Sequence, residues 1–480
     1  MEPCGRPVRV EAGGHMVRRS VTRLQVSGYR FLSRRMEYAL VYRDVRMLDD
    51  PIRSQSMALG AGMVLAAIVV AVCAVLALLR PHGSLGTDPI VMVRESGAMY
   101  VRVGDVMHPV PNLASARLIA GTPAVPRLVS AAMIAAAERG PLMGIPGAPG
   151  DLAPALADDR PAWTVCDDSD DSTTTMIIGP PAQYPIAPPV LVTAVQERAR
   201  GTFVLHDGRR AAVDLRDRAA IRALHLDELV PLRVSAALLD PLPEATPIAA
   251  PRVPGAGGPG PAGLADFRVG EVLRVPRAGE TADHYVVLAD GVQRVGRVAA
   301  DLIRFTDSHG AGEIPDVPAD RITAVPVLDT VAVTDLADPV LAGAERGGVL
   351  CTRWQWRRYA PAADTAVLAP GTRPEPEHAI GLVQADGAGP GIDAVAVPAG
   401  HSIYTRAVGV TGEGLSTGPR YLVTGSGVAF GVGDAEAAEA LGLPPTPGAA
   451  PWPLLALLPR GPELGVAGAT VVRDSVGAPS

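Results

Sequence analysis

The stretch from Met57 to Leu79, MALGAGMVLAAIVVAVCAVLALL, runs for 23 positions without one charged side chain. As a helix rising about 1.5 Å per residue it spans roughly 34 Å, slightly more than the roughly 30 Å hydrocarbon core of a bilayer, so modest tilt accommodates it. A buried core helix is the competing reading, yet helices of soluble domains rarely stay uncharged on every face for so many turns. A cleaved signal peptide fits worse. Its apolar region is ordinarily about 7 to 15 residues long, whereas this run begins at residue 57 and ends in Leu78-Leu79-Arg80-Pro81 without a small-x-small cleavage site. One membrane crossing is expected.

Charge sets the orientation. The 56 residues before the run hold eleven arginines against six acids, and Arg30, Arg34, Arg35, Arg43, Arg46 and Arg53 lie near it. The far side opens with Arg80-Pro81-His82-Gly83, so the N-terminus is expected in the cytoplasm. From Arg80 to Ser480, 32 arginines face 44 acids, a net charge of −12 that argues against nucleic-acid binding there. The basic arm can still meet anionic lipid head groups. The sequence contains no lysine at all. That excludes a P-loop, a Schiff-base lysine and a kinase-type phosphate-contacting lysine. Aromatic residues make up 4% of the chain, so its core is aliphatic.

The four cysteines divide by compartment: Cys4 in the basic arm, Cys73 inside the apolar run, and Cys166 and Cys351 beyond it. The outer two are expected to pair. Trp163 stands three residues before one and Trp354 three residues after the other, which suggests a tryptophan-packed bridge. Two unpaired buried thiols are the alternative. A metal site is disfavoured because neither cysteine has a second Cys or His at ligand spacing.

One local pattern returns four times beyond the membrane run, at Tyr100–Gly121, Phe203–Leu226, Tyr285–Gly310 and Tyr421–Leu443. Each copy starts on an aromatic residue and alternates as a strand. A tight turn follows (Gly104-Asp105, Asp207-Gly208, Asp290-Gly291, Ser426-Gly427), then a second strand and a short Ala-rich helix. Asp-Gly favours a primed hairpin turn, and Asn112 and Asp434 stand where a helix N-cap belongs. A preceding strand completes each unit, giving repeats over about 89–121, 190–226, 270–310 and 401–443. The intervening segments 144–189 and 311–400 hold the cysteines and are expected to build a central β-rich domain. Pro251–Gly263 (PRVPGAGGPGPAG) reads as a flexible linker, and 444–480 as a proline-rich tail docking on the body or on a neighbour.

These residues carry a family resemblance. Gln25–Pro51 (QVSGYRFLSRRMEYALVYRDVRMLDDP) followed by a single membrane run resembles the N-terminal signature of the EccB family, a core membrane component of type VII (ESX) secretion in mycobacteria and related actinobacteria. Similar matches follow at His108–Arg117 (HPVPNLASAR), Gly144–Pro149 (GIPGAP), Trp163–Cys166 (WTVC), Tyr285–Gly291 (YVVLADG) and Ala450–Trp452 (APW). The first 17 residues depart from the family's short start. The resemblance implies a structural subunit with a cytoplasmic helix, one membrane helix and a large periplasmic α+β, β-rich domain. In it four strand-hairpin-helix repeats flank a central domain in a distorted propeller outline. It also implies assembly with EccC (the motor ATPase), EccD, EccE and the mycosin protease.

Other functions remain to be weighed. Family members carry an ATPase label, and Arg209, Arg210, Arg294 and Arg297 could meet phosphate, although each sits at an exposable hairpin position. Asp167, Asp168, Asp170 and Asp171 could ligate Ca²⁺ or Mg²⁺ but lack EF-hand spacing. No catalytic residue, cofactor or metal ligand is assigned. A glycan-binding wall module is a third reading, weakened because the tryptophans fall outside the repeats. The expected functional residues are docking positions. Phe31, Leu32, Met36 and Leu40 mark one face of an amphipathic helix between Leu24 and Met47, which docks partners or lies on lipid. Trp452, Leu454, Leu455 and Leu458 of the tail are expected to mediate self-association outside the membrane.

Overall fold

The computed structural model describes residues 22–43, 51–79, 85–156, 161–169, 172–181, 183–195, 201–277, 282–310, 312–336, 341–343, 348–357, 360–369 and 379–475. Cys4, Arg46, Asp170 and Asp171 lie outside them. The chain forms two compact units, Met1–Ser84 and Leu85–Ser480. The first contains helices α1 (Arg23–Tyr42) and α2 (Pro51–Leu79). Thr22 caps α1, and its backbone N–H donates to Gln25 Oε1 at 3.2 Å. Arg43 turns into the left-handed region at φ 53°, so α1 stops short of the expected Met47. Pro51 opens α2, where a missing N–H costs nothing. None of the side chains of Met57–Leu76 is buried, which removes the core-helix reading.

The second unit is mixed α+β and β-rich. Strands Ile90–Val93, Met99–Val103 and Val106–Val110 form an antiparallel meander, helix Leu113–Ala120 follows, and strand Arg127–Val129 returns parallel to Ile90–Val93. The succession recurs in Val190–Ala194, Thr202–His206, Arg209–Val213, helix Arg218–Leu224 and returning strand Leu232–Val234. It recurs again in Ile403–Val408, Arg420–Val423, Ala429–Val432, helix Ala435–Leu441 and returning strand Gly448–Pro451. Around Val272–Val275, Asp283–Leu288, Gly291–Val295 and helix Arg297–Thr306, the return shrinks to one parallel bridge between Arg274 and Asp316. A second short helix follows each return: Ala131–Ala135, Ala236–Leu239, Ala319–Thr323 and Trp452–Leu455. A strap then bridges the third strand in parallel, as Arg139 does to Met107, Glu244 to Arg210, Val327 to Val292 and Arg460 to Ala429.

Local chemistry explains the hairpins and caps. Asp207 and Gly208 have φ of 46° and 69°, the two positive values of a primed turn. A Cβ on Gly208 would fall 2.0 Å from the Thr365 carbonyl oxygen, so no other residue fits. The third turn differs from expectation: it consists of Ala289 and Asp290, neither with positive φ, and Gly291 already begins the next strand. There glycine serves close approach, because a Cβ would lie 2.2 Å from the Pro326 carbonyl oxygen. Asn112 and Asp434 accept from the backbone N–H groups of Ser115 (2.9 Å) and Ala437 (2.7 Å), as N-caps do.

A six-stranded sheet runs between these elements in the order Asp364–Leu368, Val349–Gln355, Ala162–Asp168, Thr173–Gly179, Ala394–Ala396, Ile380–Gly381. Its core, aliphatic around the buried Trp163 and Trp354 rather than purely aliphatic as composition suggested, is shared with the second and fourth small sheets. Helix Leu113–Ala120 packs on Ala435–Leu441, where Arg117 Nη1 donates to the Leu441 carbonyl at 2.8 Å. Helix Arg218–Leu224 packs on Arg297–Thr306, and the Arg222 guanidinium lies 5.6 Å from the Phe305 ring centroid. Small sheets one and four, and two and three, are thus joined through their helices. Every sheet among the described residues is open.

Three boundaries move. Pro251–Gly263 is tied down rather than free: the N–H groups of Gly257 and Gly260 donate to the carbonyls of Val269 (2.8 Å) and Phe267 (2.9 Å). Val317, Ile322 and Val325 pack with Leu273 and Val292 of the third sheet, so the start of 311–400 does not belong to the central sheet. Gly448–Pro451 is a buried strand of the fourth sheet, so 444–480 is not an appended arm.

Candidate functional site

Cys166 and Cys351 stand opposite each other on neighbouring antiparallel strands, with Cα atoms 4.0 Å apart, and form a disulfide. Three residues along the same ladder Trp163 opposes Trp354. Three is an odd step, and a pleated strand alternates faces, so bridge and tryptophans point to opposite sides. The bridge packs with Val349, Ala366 and Leu368, and the tryptophans enter the main core. The expected tryptophan-packed bridge is therefore corrected. Each indole finds a separate anchor: Trp163 Nε1 donates to the Ala449 carbonyl at 3.1 Å, and Trp354 Nε1 to the Val410 carbonyl at 2.7 Å. The sheet is braced covalently on one face and bolted to the fourth small sheet on the other.

Asp167, next to the bridge, enters a buried polar junction. Its carboxylate accepts from Ser235 N–H (2.6 Å), Ser235 Oγ (2.9 Å) and Thr174 Oγ1 (3.0 Å). Ser235 also caps helix Ala236–Leu239 through Leu238 N–H at 3.1 Å, so one carboxylate couples the central sheet to the second small sheet. Burial pushes the Asp167 pKa up to about 6 against the pull of these hydrogen bonds, with a further upward push from Asp393. Asp393 itself accepts from the N–H groups of Thr174 (2.7 Å), Asp386 (2.9 Å) and Gly387 (2.7 Å). A cavity of about 410 Å³ beside them is lined by Asp167, Asp168, Ser169, Thr173, Arg233 and Gly387 among others. Its carboxylates would repel a triphosphate, and one guanidinium offers little offset.

The arginines considered for phosphate do not converge. Arg209 and Arg210 lie on the second sheet, with Arg210 paired to Glu244 at 3.2 Å; Arg294 and Arg297 belong to the third, with Arg294 paired to Asp283 at 2.6 Å.

The family model described as "Type VII secretion system ESX-1, transport TM domain B" matches residues 18–478. The chain belongs to the EccB family. The match leaves out the first 17 residues, those that depart from the family's start. Among similar relatives, the ESX-3 secretion system ATPase EccB3 of Mycolicibacterium smegmatis is 37% identical over 98% of this chain and 94% of its own length. The ESX-5 secretion system ATPase EccB5 of Mycobacterium tuberculosis H37Rv is 36% identical over 95% of this chain and 94% of its own. Of solved structures, a chain of the intact ESX-5 inner membrane complex superposes with a TM-score of 0.70 at 32% identity, covering 97% of this chain and 98% of that one. The EccB3 dimer from the ESX-3 core complex gives 0.68 at 33% identity, covering 80% and 100%.

Within this EccB-family fold the expected docking residues separate. Phe31, Leu32, Met36 and Leu40 are exposed along α1. Leu454, Leu455 and Leu458 are 0%, 1% and 2% exposed, inside the core that also holds Trp163, and present no surface to a second copy. Trp452 alone of that set reaches solvent, at 41% exposure. A sequence signal for this existed. Val129-Ser-Ala-Ala-Met-Ile134, Val234-Ser-Ala-Ala-Leu-Leu239, Val317-Pro-Ala-Asp-Arg-Ile322 and Ala450-Pro-Trp-Pro-Leu-Leu455 each end a return and begin a short helix, and Arg139-Gly-Pro and Arg460-Gly-Pro begin two straps.

Proposed function

We propose that the chain is a structural subunit of a type VII secretion machine, crossing the inner membrane once through α2 with a cytoplasmic N-terminus and holding the Leu85–Ser480 unit in the periplasm. Its likeness over 97% of its length to a subunit of an intact ESX-5 inner membrane complex carries this reading. The four small sheets read as copies of one unit, each a meander, helix, return, short helix and strap, flanking the central sheet in a distorted propeller outline. Self-association of the periplasmic unit is supported by the solved EccB3 dimer. EccC, EccD, EccE and a mycosin are the partners the family implies, and α1 is the element that docks them on the cytoplasmic side. The arrangement suits rigid presentation of surfaces.

The names of the relatives, secretion system ATPases, favour a second reading, ATP hydrolysis. Detergent-extracted full-length protein, assayed beside Arg233→Ala, separates the two. A scaffold shows no ATP turnover above a mock preparation, and co-purifies with other membrane subunits of the machine. Turnover abolished by Arg233→Ala would transfer the function to the cavity at the end of the central sheet.

A further inference from the structure

Across the Leu85–Ser480 unit several surface arginines meet a carboxylate. Arg127 pairs with Asp88, Arg274 with Asp316, Arg321 with Asp266 and Arg357 with Asp364. This is what an excess of acids dictates. One cleft gathers three arginines that do not pair. A cleft of about 600 Å³ between the hairpin of the fourth sheet and its strap is lined by Arg406, Arg420 and Arg460, with Glu463 as its one carboxylate. Among the described residues none of these three arginines forms an ion pair.

The guanidiniums are nonetheless held. Arg406 Nη1 donates to the carbonyls of Ser416 (3.1 Å) and Gly418 (2.9 Å), which fixes it against the loop ahead of strand Arg420–Val423. Arg460 lies 4.8 Å from the centroid of Trp452 and 5.9 Å from that of Tyr421, and the two rings are 6.2 Å apart. A guanidinium held on a ring face keeps its in-plane N–H groups for a ligand, and an Arg already positioned loses little side-chain entropy on binding. The cleft is far larger than one phosphate group. Tyr421 and the arginines line it and Trp452 stands beside Arg460, residue types that dominate binding energy between proteins.

We propose that this cleft is a docking site for an acidic, carboxylate-bearing segment of a partner protein, held by Arg406, Arg420 and Arg460 with Trp452 and Tyr421 as its apolar shelf. Charge complementarity selects the occupant: a cleft lined by three arginines and one carboxylate favours acidic chains.

The test uses full-length protein in detergent and a fluorescent decaglutamate peptide, followed by anisotropy. Binding is expected to weaken steeply with salt and by about tenfold or more in Arg420→Ala/Arg460→Ala. Glu463→Gln is expected to tighten it, a gain that no folding defect can imitate. Equal affinity in all three proteins overturns the proposal. So does an absence of peptide binding together with Arg420- and Arg460-dependent binding to phosphatidylglycerol vesicles or inorganic phosphate, which would assign the cleft to phosphate groups.

Discussion

Cys166 and Trp163 are three residues apart, and their separation onto two faces gives the central sheet independent fastenings. In the chain-entropy view, a bridge between residues 185 positions apart contributes about 5 kcal/mol before strain. Cys351→Ser should lower the unfolding free energy of the outer unit by about 2–5 kcal/mol. Wild-type protein in reductant should match it in thermal denaturation, and an unchanged melting temperature in both samples would show the bridge to be idle. Asp167 gives a pH dependence whose sign is fixed. Its carboxyl titrates near 3.8 when unfolded and near 6 when folded, so the native state holds the proton more tightly. The associated stability is fully present below about pH 3.8 and is lost as pH rises through about 6, on the order of 2–3 kcal/mol. Asp167→Asn should flatten the melting temperature between about pH 4 and 6 relative to wild type. A parallel pair of curves would rule out Asp167 as the source.

Among the elements, the segment after Leu443 changes its meaning most. Strand Gly448–Pro451 completes the fourth sheet, Ala449 accepts the Trp163 indole, and Leu454 and Leu455 fill the core beneath. Removing Pro444 to Ser480 should therefore unfold the outer unit rather than release copies of it. Leu455→Ala offers a milder probe, expected to cost about 2–5 kcal/mol in urea unfolding; a loss under about 0.5 kcal/mol, typical of surface sites, would return this helix to the surface. Helix α1 behaves in the opposite way, keeping Phe31, Leu32, Met36 and Leu40 exposed. Leu32→Asp with Met36→Asp should leave membrane insertion intact, since α2 is the one candidate span among the described residues, and strip partner subunits during affinity purification. A complex recovered with undiminished partners would leave α1 as a surface helix only.

At the scale of the molecule, the proposed single crossing with a periplasmic Leu85–Ser480 unit predicts a simple topology. Protease added to spheroplasts should digest the region beyond Arg80 and spare an N-terminal fragment that includes α1. Protection of that unit in intact spheroplasts, with digestion only after their lysis, would invert the assignment.

The sequence by itself pointed to the candidate span, because 23 uncharged residues leave a helix few places other than lipid, and to the hairpins, whose aromatic starts are local, although the third turn proved to be Ala289-Asp290. It also pointed to the cysteine pairing, by assigning the four thiols to compartments, and the structure forms that bridge. Only the tertiary structure decided which face of the ladder each tryptophan takes, since that follows from strand register rather than from spacing along the chain. The returning strands were equally hidden. Arg127–Val129 and Gly448–Pro451 are short and carry little alternation of their own, and they become strands because a long-range parallel partner satisfies their backbone. The same holds for the cleft at Arg406, Arg420 and Arg460: residues up to 54 positions apart share it because the Arg460 strap folds back in parallel beside Ala429.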